Sequence, residues 1–374
     1  MSIVLLILGL ILFIGLVVIH EFGHFLAARR NGVEVEEFGI GFPPRAWSKK
    51  TKKGFIFSLN WLPIGGFVKL KGESDATTEK GTLGAASTWV KTKIMLAGVF
   101  MNLVVAFGLL TVLAWVGVPK LLNNQFTVMS DEKVVLSQVR ARYVEPTSPA
   151  AKAGIADQDQ ITSIAQGSDI QQVRTSADLP KATERFAGER VQVTYKHSGQ
   201  VKTATVELRD KATVDASKKT KDPKGYLGIV PSEYTITRST WSAPIVAAGL
   251  MKQFTELTFK GLGTAITAIF QGNGSKAAEQ VSGPVGIVVV LKDGSLLGYQ
   301  FILMIIAIIS LTLAIMNVLP IPALDGGRLY MVLLSRLFGK RLTEEMEERI
   351  VGSSFIFLLF LIVLITIVDV KRFF

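Results

Sequence analysis

The sequence contains no cysteine among its 374 residues, which excludes disulfide bonds, iron–sulfur clusters and zinc sites built on thiolates. Histidine is also scarce, with three in the whole chain, so a metal site would have to combine these imidazoles with carboxylates. The first residues lack the basic region and the small-residue cleavage site of a secretory signal peptide. We therefore expect the chain to start with an uncleaved transmembrane helix.

The composition is both hydrophobic and charged. Hydrophobic residues make up 49% of the chain and charged residues 19%, a mixture typical of a multi-span membrane protein that carries one soluble domain. The net charge of +11 suits a nucleic-acid partner, but the basic residues are spread along the chain. Many lie beside apolar segments, where anionic lipid explains them better. We predict contact with a lipid bilayer and no nucleic-acid partner.

Four apolar segments are long enough to cross a bilayer, so the predicted fold class is a polytopic α-helical membrane protein with four transmembrane helices. The helices fall within residues 1–28, 94–118, 299–338 and 350–370. Lysine and arginine are concentrated in the 29–93 loop and in the loop before the fourth helix. The positive-inside rule places both loops in the cytoplasm, and the N-terminus and the long middle segment outside.

The polar segments predict three further elements. Residues 54–73, within the first loop, alternate apolar positions around a break rich in proline and glycine, which predicts a membrane-associated β-hairpin. Residues 126–231 contain short alternating strands around a helical stretch and form the predicted α+β soluble domain. Residues 241–298 begin with a helix too polar for a span, and we expect this helix and linker to lie along the outer membrane surface.

The first helix carries the motif HEFGH, which contains His20, Glu21 and His24. On a helix, His20 and His24 lie one turn apart on the same face, so both imidazoles can reach one ion. Glu21 is close enough to polarise a water on that ion without ligating the metal. Because zinc lowers the pKa of such a water to about 7, the motif predicts Zn²⁺ as the cofactor and Glu21 as the catalytic base of a hydrolase.

A catalytic zinc needs a third protein ligand. The remaining histidine, His197, falls in the predicted outer domain and cysteine is absent, so a carboxylate at the right membrane depth is required. Asp325, in the stretch NVLPIPALDGGR, is the one candidate, because prolines and glycines break the helix there and an acidic residue at such a break is a functional candidate. Two alternatives stay open: a chance HExxH, and an Asp325 that caps a helix or makes a structural contact.

These residues resemble the site-2 protease family of intramembrane zinc metalloproteases, and closely its RseP-type bacterial branch. HEFGH and NVLPIPALDGGR match the two signature motifs. AGVFMN, with Gly98 and Asn102, is similar to the family's second-helix motif, and SGPVGI is similar to a stretch before the third helix. The resemblance implies that Asp325 is the third zinc ligand and that Asn317 lines the site near the substrate backbone.

The resemblance also implies how a substrate binds. PIGGFVKLKGE resembles the family's membrane-associated β-hairpin, which pairs with an extended substrate strand. The substrate-binding residues implied there are Gly65, Gly66, Phe67, Val68 and Lys69. The implied function is regulated intramembrane proteolysis of single-span membrane proteins, such as anti-sigma factors or signal-peptide remnants. The implied location is the bacterial cytoplasmic (inner) membrane, with the active site near the cytoplasmic side.

The middle segment resembles a peptide-binding module. VEPTSPAAKAGIADQDQI is similar to the core of a bacterial PDZ domain, and GYLGI resembles its carboxylate-binding loop. Gln158 and Asp159 stand where a Gly-Asp pair is usual. The branch commonly carries two tandem PDZ domains, whereas the roughly 100 residues of this segment accommodate one. The resemblance implies a single extracytoplasmic PDZ domain that binds peptide or protein termini.

Two functions of other classes stay open beside a zinc metalloendopeptidase. A catalytically silent membrane scaffold would use the PDZ domain alone and would be expected to lack a metal ligand or Glu21. The sequence contains Glu21 and all three candidate ligands, His20, His24 and Asp325. A metal-ion transporter would need further polar residues along its spans, and the third and fourth helices contain almost none. The prediction is therefore an enzyme.

Overall fold

The computed structural model describes residues 2–197, 199–220, 222–339 and 342–374. These residues divide into two compact units. The first consists of Met1–Leu113 and Pro244–Phe374, and the second of Ala114–Ala243. The first unit contains most of the long apolar helices, and the second is built around one β-sheet.

The helices and strands follow in chain order. The helices are α1 (Ser2–Arg30), α2 (Thr88–Val116), α3 (Pro149–Lys152), α4 (Asp178–Arg185), α5 (Lys211–Ser217), α6 (Ala243–Phe270), α7 (Gly274–Glu279), α8 (Pro284–Ser295), α9 (Tyr299–Val318), α10 (Asp325–Leu337) and α11 (Glu344–Phe373). The strands are β1 (Val35–Lys50), β2 (Ile56–Leu70), β3 (Val118–Pro119), β4 (Lys133–Val144), β5 (Gln160–Gln166), β6 (Asp169–Gln172), β7 (Arg190–His197), β8 (Gln200–Glu207) and β9 (Ile229–Arg238).

Four of the described helices, α1, α2, α9 and α11, are long and apolar enough to cross a membrane, as the sequence predicts. Large apolar side chains such as Ile7 on α1 and Phe360 on α11 are exposed, which is favourable where lipid surrounds the helix. Helix α11 starts at Glu344, before the predicted residue 350, because the Thr343 side chain caps it by accepting a hydrogen bond from the Met346 N–H at 3.3 Å.

The loop after α1 forms an antiparallel sheet in which β1 and β2 each bend and pair twice. Phe38, for example, pairs with both Val68 and Phe57. The order of the strand segments across the sheet is 66–70, 35–42, 56–60 and 45–50. The prediction of a hairpin within residues 54–73 was therefore wrong in its pairing, because β1 lies between the two halves of β2. The segment 66–70 lies at one edge of the sheet.

A buried carboxylate explains why β1 was not predicted as a strand. Glu37 is 5% exposed, and its carboxylate accepts hydrogen bonds from Arg45 at 3.0 Å and from the Ser58 hydroxyl at 2.6 Å. Burial raises the pKa of Glu37, but the hydrogen bonds from Arg45 and Ser58 outweigh it and hold the pKa below its usual value. Glu37 and Arg45 thus neutralise each other, with the carboxylate buried in the sheet and the guanidinium half-exposed.

The second unit contains a sheet with the strand order β3–β9–β4–β5–β7–β8, to which β6 adds by pairing with β5. Its core includes the fully buried Ile161, Ile164 and Val193. Gln158 has a φ of +69°, so it occupies the left-handed conformation that the usual glycine would adopt more easily. The turn before β5 therefore contains a left-handed residue other than glycine.

Arg209 ties Glu145 to the segment GYLGI in this unit. Its guanidinium donates to both carboxylate oxygens of Glu145, each at 2.8 Å, and to the Gly225 carbonyl at 2.9 Å. The bond from Arg209 lowers the pKa of Glu145. The ion pair therefore stabilises the fold above the unfolded pKa of about 4.3, and this contribution is lost as the pH falls through the lowered folded-state value.

We expect Glu145→Gln to lower the stability of this unit at pH 7 by about 1–2 kcal/mol. Between about pH 6 and pH 3, the melting temperature of the variant should also fall by less than that of the wild type. Scanning fluorimetry of the full chain in detergent measures both effects. Glu207→Gln is the control, because Glu207 is exposed and pairs with Arg190 at 3.3 Å. Identical pH profiles for wild type and Glu145→Gln would contradict the assignment.

Candidate metal and catalytic site

Three side chains from distant parts of the chain converge inside the first unit. His20 and His24 lie on α1 and are 7% and 6% exposed, and Asp325 is the first residue of α10. Asp325 Oδ2 lies 3.0 Å from His20 Nε2 and 3.2 Å from His24 Nε2, and the two Nε2 atoms are 3.1 Å apart. Within the part of the chain that the structure describes, this is the one group of metal-ligating side chains so closely spaced.

The spacing of these three atoms fits a zinc ion. Zinc binds imidazole nitrogen and carboxylate oxygen at about 2.0–2.1 Å in tetrahedral geometry, which separates neighbouring ligand atoms by roughly 3.3–3.4 Å. The separations of 3.0, 3.1 and 3.2 Å approach that value. Two imidazoles and one carboxylate are also a donor set of hydrolytic zinc sites, and three ligands leave one position for water or substrate.

A main-chain contact orients His24. Its Nδ1 donates to the carbonyl of Ile94 on α2 at 2.7 Å, so the ring proton lies on Nδ1 and Nε2 directs its lone pair at the cluster. Sequence reasoning missed this contact, because every residue supplies a carbonyl and nothing in the sequence distinguishes Ile94.

Glycines bring α1 and α2 into close contact at the cluster. A Cβ on Gly98 would lie 2.5 Å from His24 Nε2 and 2.7 Å from His20 Nε2. A Cβ on Gly23 would lie 2.6 Å from the Ala97 carbonyl oxygen. These distances are well inside van der Waals contact, so glycine is required at both positions.

We expect Gly98→Ala to reduce bound zinc at least about tenfold, because the added methyl group would occupy the space beside the two Nε2 atoms. Gly108→Ala is a matched control on the same helix, since a Cβ at Gly108 meets nothing within 4 Å. Elemental analysis of the purified full-length variants gives zinc per chain. Equal zinc contents in the two variants would contradict the proposed position of the metal.

Two further glycines place Asp325 at the cluster. A Cβ on Gly326 would lie 2.2 Å from the Val318 carbonyl oxygen, and one on Gly327 would lie 1.9 Å from the Ile321 carbonyl oxygen. The start of α10 therefore packs directly against the end of α9 and the loop that follows it. This close approach explains why the aspartate is followed by two glycines.

Glu21 lies beside the cluster and is not one of its three members. Its Oε2 accepts a hydrogen bond from the main-chain N–H of Val68, in β2, at 3.1 Å. This bond holds the carboxylate in place next to His20 on the same helix. A carboxylate so held suits a general base that takes a proton from a nearby water.

The edge strand of the sheet runs past Glu21. A Cβ on Gly66 would lie 3.8 Å from Glu21 Cγ, and one on Gly65 would lie 3.5 Å from Val17 Cγ1 on α1. The structure thus brings Gly66 and Val68, two of the predicted substrate-binding residues, next to Glu21, and it brings a third, Gly65, next to Val17 on the same helix.

The other two predicted substrate-binding residues of the strand point elsewhere. The Phe67 ring lies over Gly39, where a Cβ would come within 2.4 Å of it. Lys69 is exposed, and its ammonium pairs with Glu36 at 2.7 Å. The Phe67 side chain therefore packs on β1, and the Lys69 side chain lies at the surface beside Glu36. Only the main-chain groups of Phe67 and Lys69 lie along the edge.

Asn317 lies in the last turn of α9 and is half-buried. Among the described residues, no hydrogen bond joins its side chain to His20, His24 or Asp325. Its contact with substrate stays a prediction.

Comparison with known proteins relates the whole chain to peptidases. Residues 8–361 match the family model described as Peptidase family M50. A protein of Clostridium acetobutylicum named as a zinc metalloprotease is 30% identical over 372 residues, covering 99% of this chain and 98% of the relative. A zinc metalloprotease of Clostridium perfringens is 29% identical over 97% of this chain and 98% of its own length. The protease eep of Enterococcus faecalis is 25% identical over 96% and 97%.

Proposed function

We propose that this chain, which belongs to peptidase family M50, the site-2 protease family, cuts single-span membrane proteins inside the bilayer. It is a zinc metalloprotease of the membrane. The reaction is regulated intramembrane proteolysis. Its substrates are anchored regulators such as anti-sigma factors, or signal-peptide remnants.

The observation that carries this proposal is the position of HEFGH within α1. The helix Ile3–Arg30 contains an 18-residue window with a mean hydropathy of 3.1, and histidine or glutamate inside such a helix is unfavourable unless it serves a function. Here His20 and His24 meet Asp325 at ligand spacing, and Glu21 is held beside them. A hydrolytic site built into an apolar helix favours a substrate that is itself in the membrane.

We propose that His20, His24 and Asp325 would hold a zinc ion, which when bound would supply a Lewis acid for the scissile carbonyl and for a nearby water. Glu21 takes the proton of the attacking water through its carboxylate and delivers it to the leaving amine nitrogen. The N–H of Val68 fixes the orientation of Glu21 during both transfers.

Substrate binding requires an unwound segment, because the carbonyl of an intact helix is already hydrogen-bonded and shielded. The edge 66–70 offers main-chain groups that could pair with an extended substrate strand. Its N–H groups at Val68 and Leu70 point away from β1 and already donate to the side chains of Glu21 and Glu73 at 3.1 and 3.0 Å, so a substrate strand would pair with the main-chain carbonyl groups on this side of the edge. We propose that a substrate strand adds along this edge and that Asn317 contacts its main chain.

We propose that the second unit is a single PDZ domain on the outer side of the bacterial inner membrane, with the active site near the cytoplasmic side. Its GYLGI loop, held through Gly225 by Arg209, would bind the termini of peptides or proteins. Such a domain would restrict the active site to substrates whose outer part has been shortened.

The test uses the full chain reconstituted in lipid vesicles with labelled single-span peptides. A peptide with glycine and proline inside its span should be cut faster than a matched peptide with an uninterrupted leucine span, because it unwinds more easily. A zinc chelator should stop the cleavage and added zinc should restore it. Rapid cleavage of a soluble peptide with both membrane peptides left intact would contradict intramembrane proteolysis.

A further inference from the structure

A buried amide lies against one of the two histidines. Asn102, on α2, is fully buried, and its Nδ2 lies 3.3 Å from His20 Nδ1. Its Oδ1 is also buried and has no hydrogen-bond partner among the residues that the structure describes. An unpaired buried amide oxygen is unfavourable, so its presence beside a proposed metal ligand needs an explanation.

The hydrogen bonds around His20 indicate which of its two ring nitrogens carries the proton. If Nδ2 of Asn102 donates to His20 Nδ1, the ring proton is on Nε2 and faces Asp325 Oδ2 at 3.0 Å. A neutral imidazole that ligates a metal through Nε2 carries its proton on Nδ1 and needs an acceptor there. The free Oδ1 of Asn102 can become that acceptor.

Only a rotation of the amide is required. The oxygen and nitrogen of an asparagine amide are nearly the same size, so a half-turn exchanges them without moving the surrounding side chains. His24 differs, because its Nδ1 already donates to the fixed carbonyl of Ile94 at 2.7 Å. One ligand is thus kept permanently in the tautomer for metal binding, and the other depends on a side chain that can turn.

We propose that Asn102 is a positioning residue that accepts a hydrogen bond from His20 Nδ1 when zinc binds and so sets the affinity for zinc. This inference rests on the proposed ligand set. A purely structural role does not explain the amide, because Asn102 anchors α2 to α9 through its main chain: its carbonyl accepts from the buried Ser310 hydroxyl at 2.8 Å. A leucine at this position would keep that contact and remove the unpaired oxygen.

The test measures zinc affinity of the full chain in detergent by competition with a chromophoric chelator. Asn102→Leu should weaken zinc binding about 10–100-fold, the usual effect of removing a hydrogen-bond partner of a metal-ligating histidine. Asn102→Asp keeps an acceptor and should bind zinc within about threefold of the wild type or more tightly. Ser310→Ala is the control, because it removes the main-chain contact and leaves the amide; it should not change zinc affinity.

Circular dichroism establishes that each variant is folded, and Asn102→Ala replaces Asn102→Leu if the leucine variant does not fold. The inference is wrong if Asn102→Leu binds zinc as the wild type does, or if folded Asn102→Asp loses as much affinity as Asn102→Leu. His20→Ala separates this result from a failure of the ligand set. If His20→Ala retains wild-type zinc affinity, the proposed ligands themselves are wrong and the inference falls with them.

Discussion

Replacing Glu21 by glutamine is expected to lower the rate of peptide cleavage by about 10²- to 10⁴-fold, the range for loss of a general base. Zinc content should be unchanged, because Glu21 does not belong to the cluster of His20, His24 and Asp325. Glutamine has nearly the same shape, and its amide oxygen can still accept from the Val68 N–H. The substitution therefore removes proton transfer while leaving the site assembled.

The measurement combines cleavage rates in lipid vesicles with elemental analysis of the same preparation. Glu256→Gln on α6 is the matched control, since Glu256 is exposed and lies 3.9 Å from Lys252 in a weak pair. The control should cleave at the wild-type rate. Activity of Glu21→Gln within tenfold of the control would require another base and would remove Glu21 from the mechanism.

Asp325→Asn is expected to weaken zinc binding by more than about 100-fold, beyond the effect of losing an outer hydrogen-bond partner of a ligand. Asp325 Oδ2 lies within 3.2 Å of both histidine Nε2 atoms, so in the proposed site the carboxylate would supply negative charge and one of the three ligand atoms. A neutral amide is a much poorer ligand for zinc. Peptide cleavage should be lost in parallel, unlike in Glu21→Gln, where zinc stays bound.

Chelator competition on the full chain gives the zinc affinity of this variant. Asp293→Asn is the control, because Asp293 is exposed on α8 and should have no effect. If Asp325→Asn binds zinc as tightly as Asp293→Asn, the third ligand is not Asp325, and its place at the start of α10 reflects only its favourable position as a helix-terminal acid.

The sequence predicts the cluster well because its members have strong local signatures. His20 and His24 are spaced by one helical turn, so their convergence follows from helix geometry alone. Asp325 could be selected because cysteine is absent and His197 falls in another domain. In the structure His197 does lie in the second unit, where it pairs with Asp159 at 2.8 Å.

The remainder of the site depends on contacts that leave no local signature. The Ile94 carbonyl that orients His24 and the Val68 N–H that holds Glu21 are main-chain groups, which every residue has. Asn102 belongs to a motif that the sequence singles out, but its contact with His20 depends on the packing of α1 against α2. Such contacts become visible only when the helices are placed together.

The sheet after α1 was predicted only in part, for a related reason. Alternation within β2 indicates a strand, but the pairing of both halves of β2 with β1 is non-local. The burial of Glu37 depends on Arg45 and Ser58, which come from different strand segments. The pattern of charges along one strand segment cannot show that a second segment supplies the hydrogen bonds that these charges need.

The most direct test of intramembrane proteolysis is the position of the cleaved bond. A single-span peptide with helix-breaking residues is incubated with the wild-type chain in vesicles, and mass spectrometry identifies the new termini. We predict termini inside the apolar segment, formed by the wild type and absent with Glu21→Gln. Termini confined to the polar flanks of the span, or the same products from both proteins, would contradict a zinc peptidase that works within the membrane.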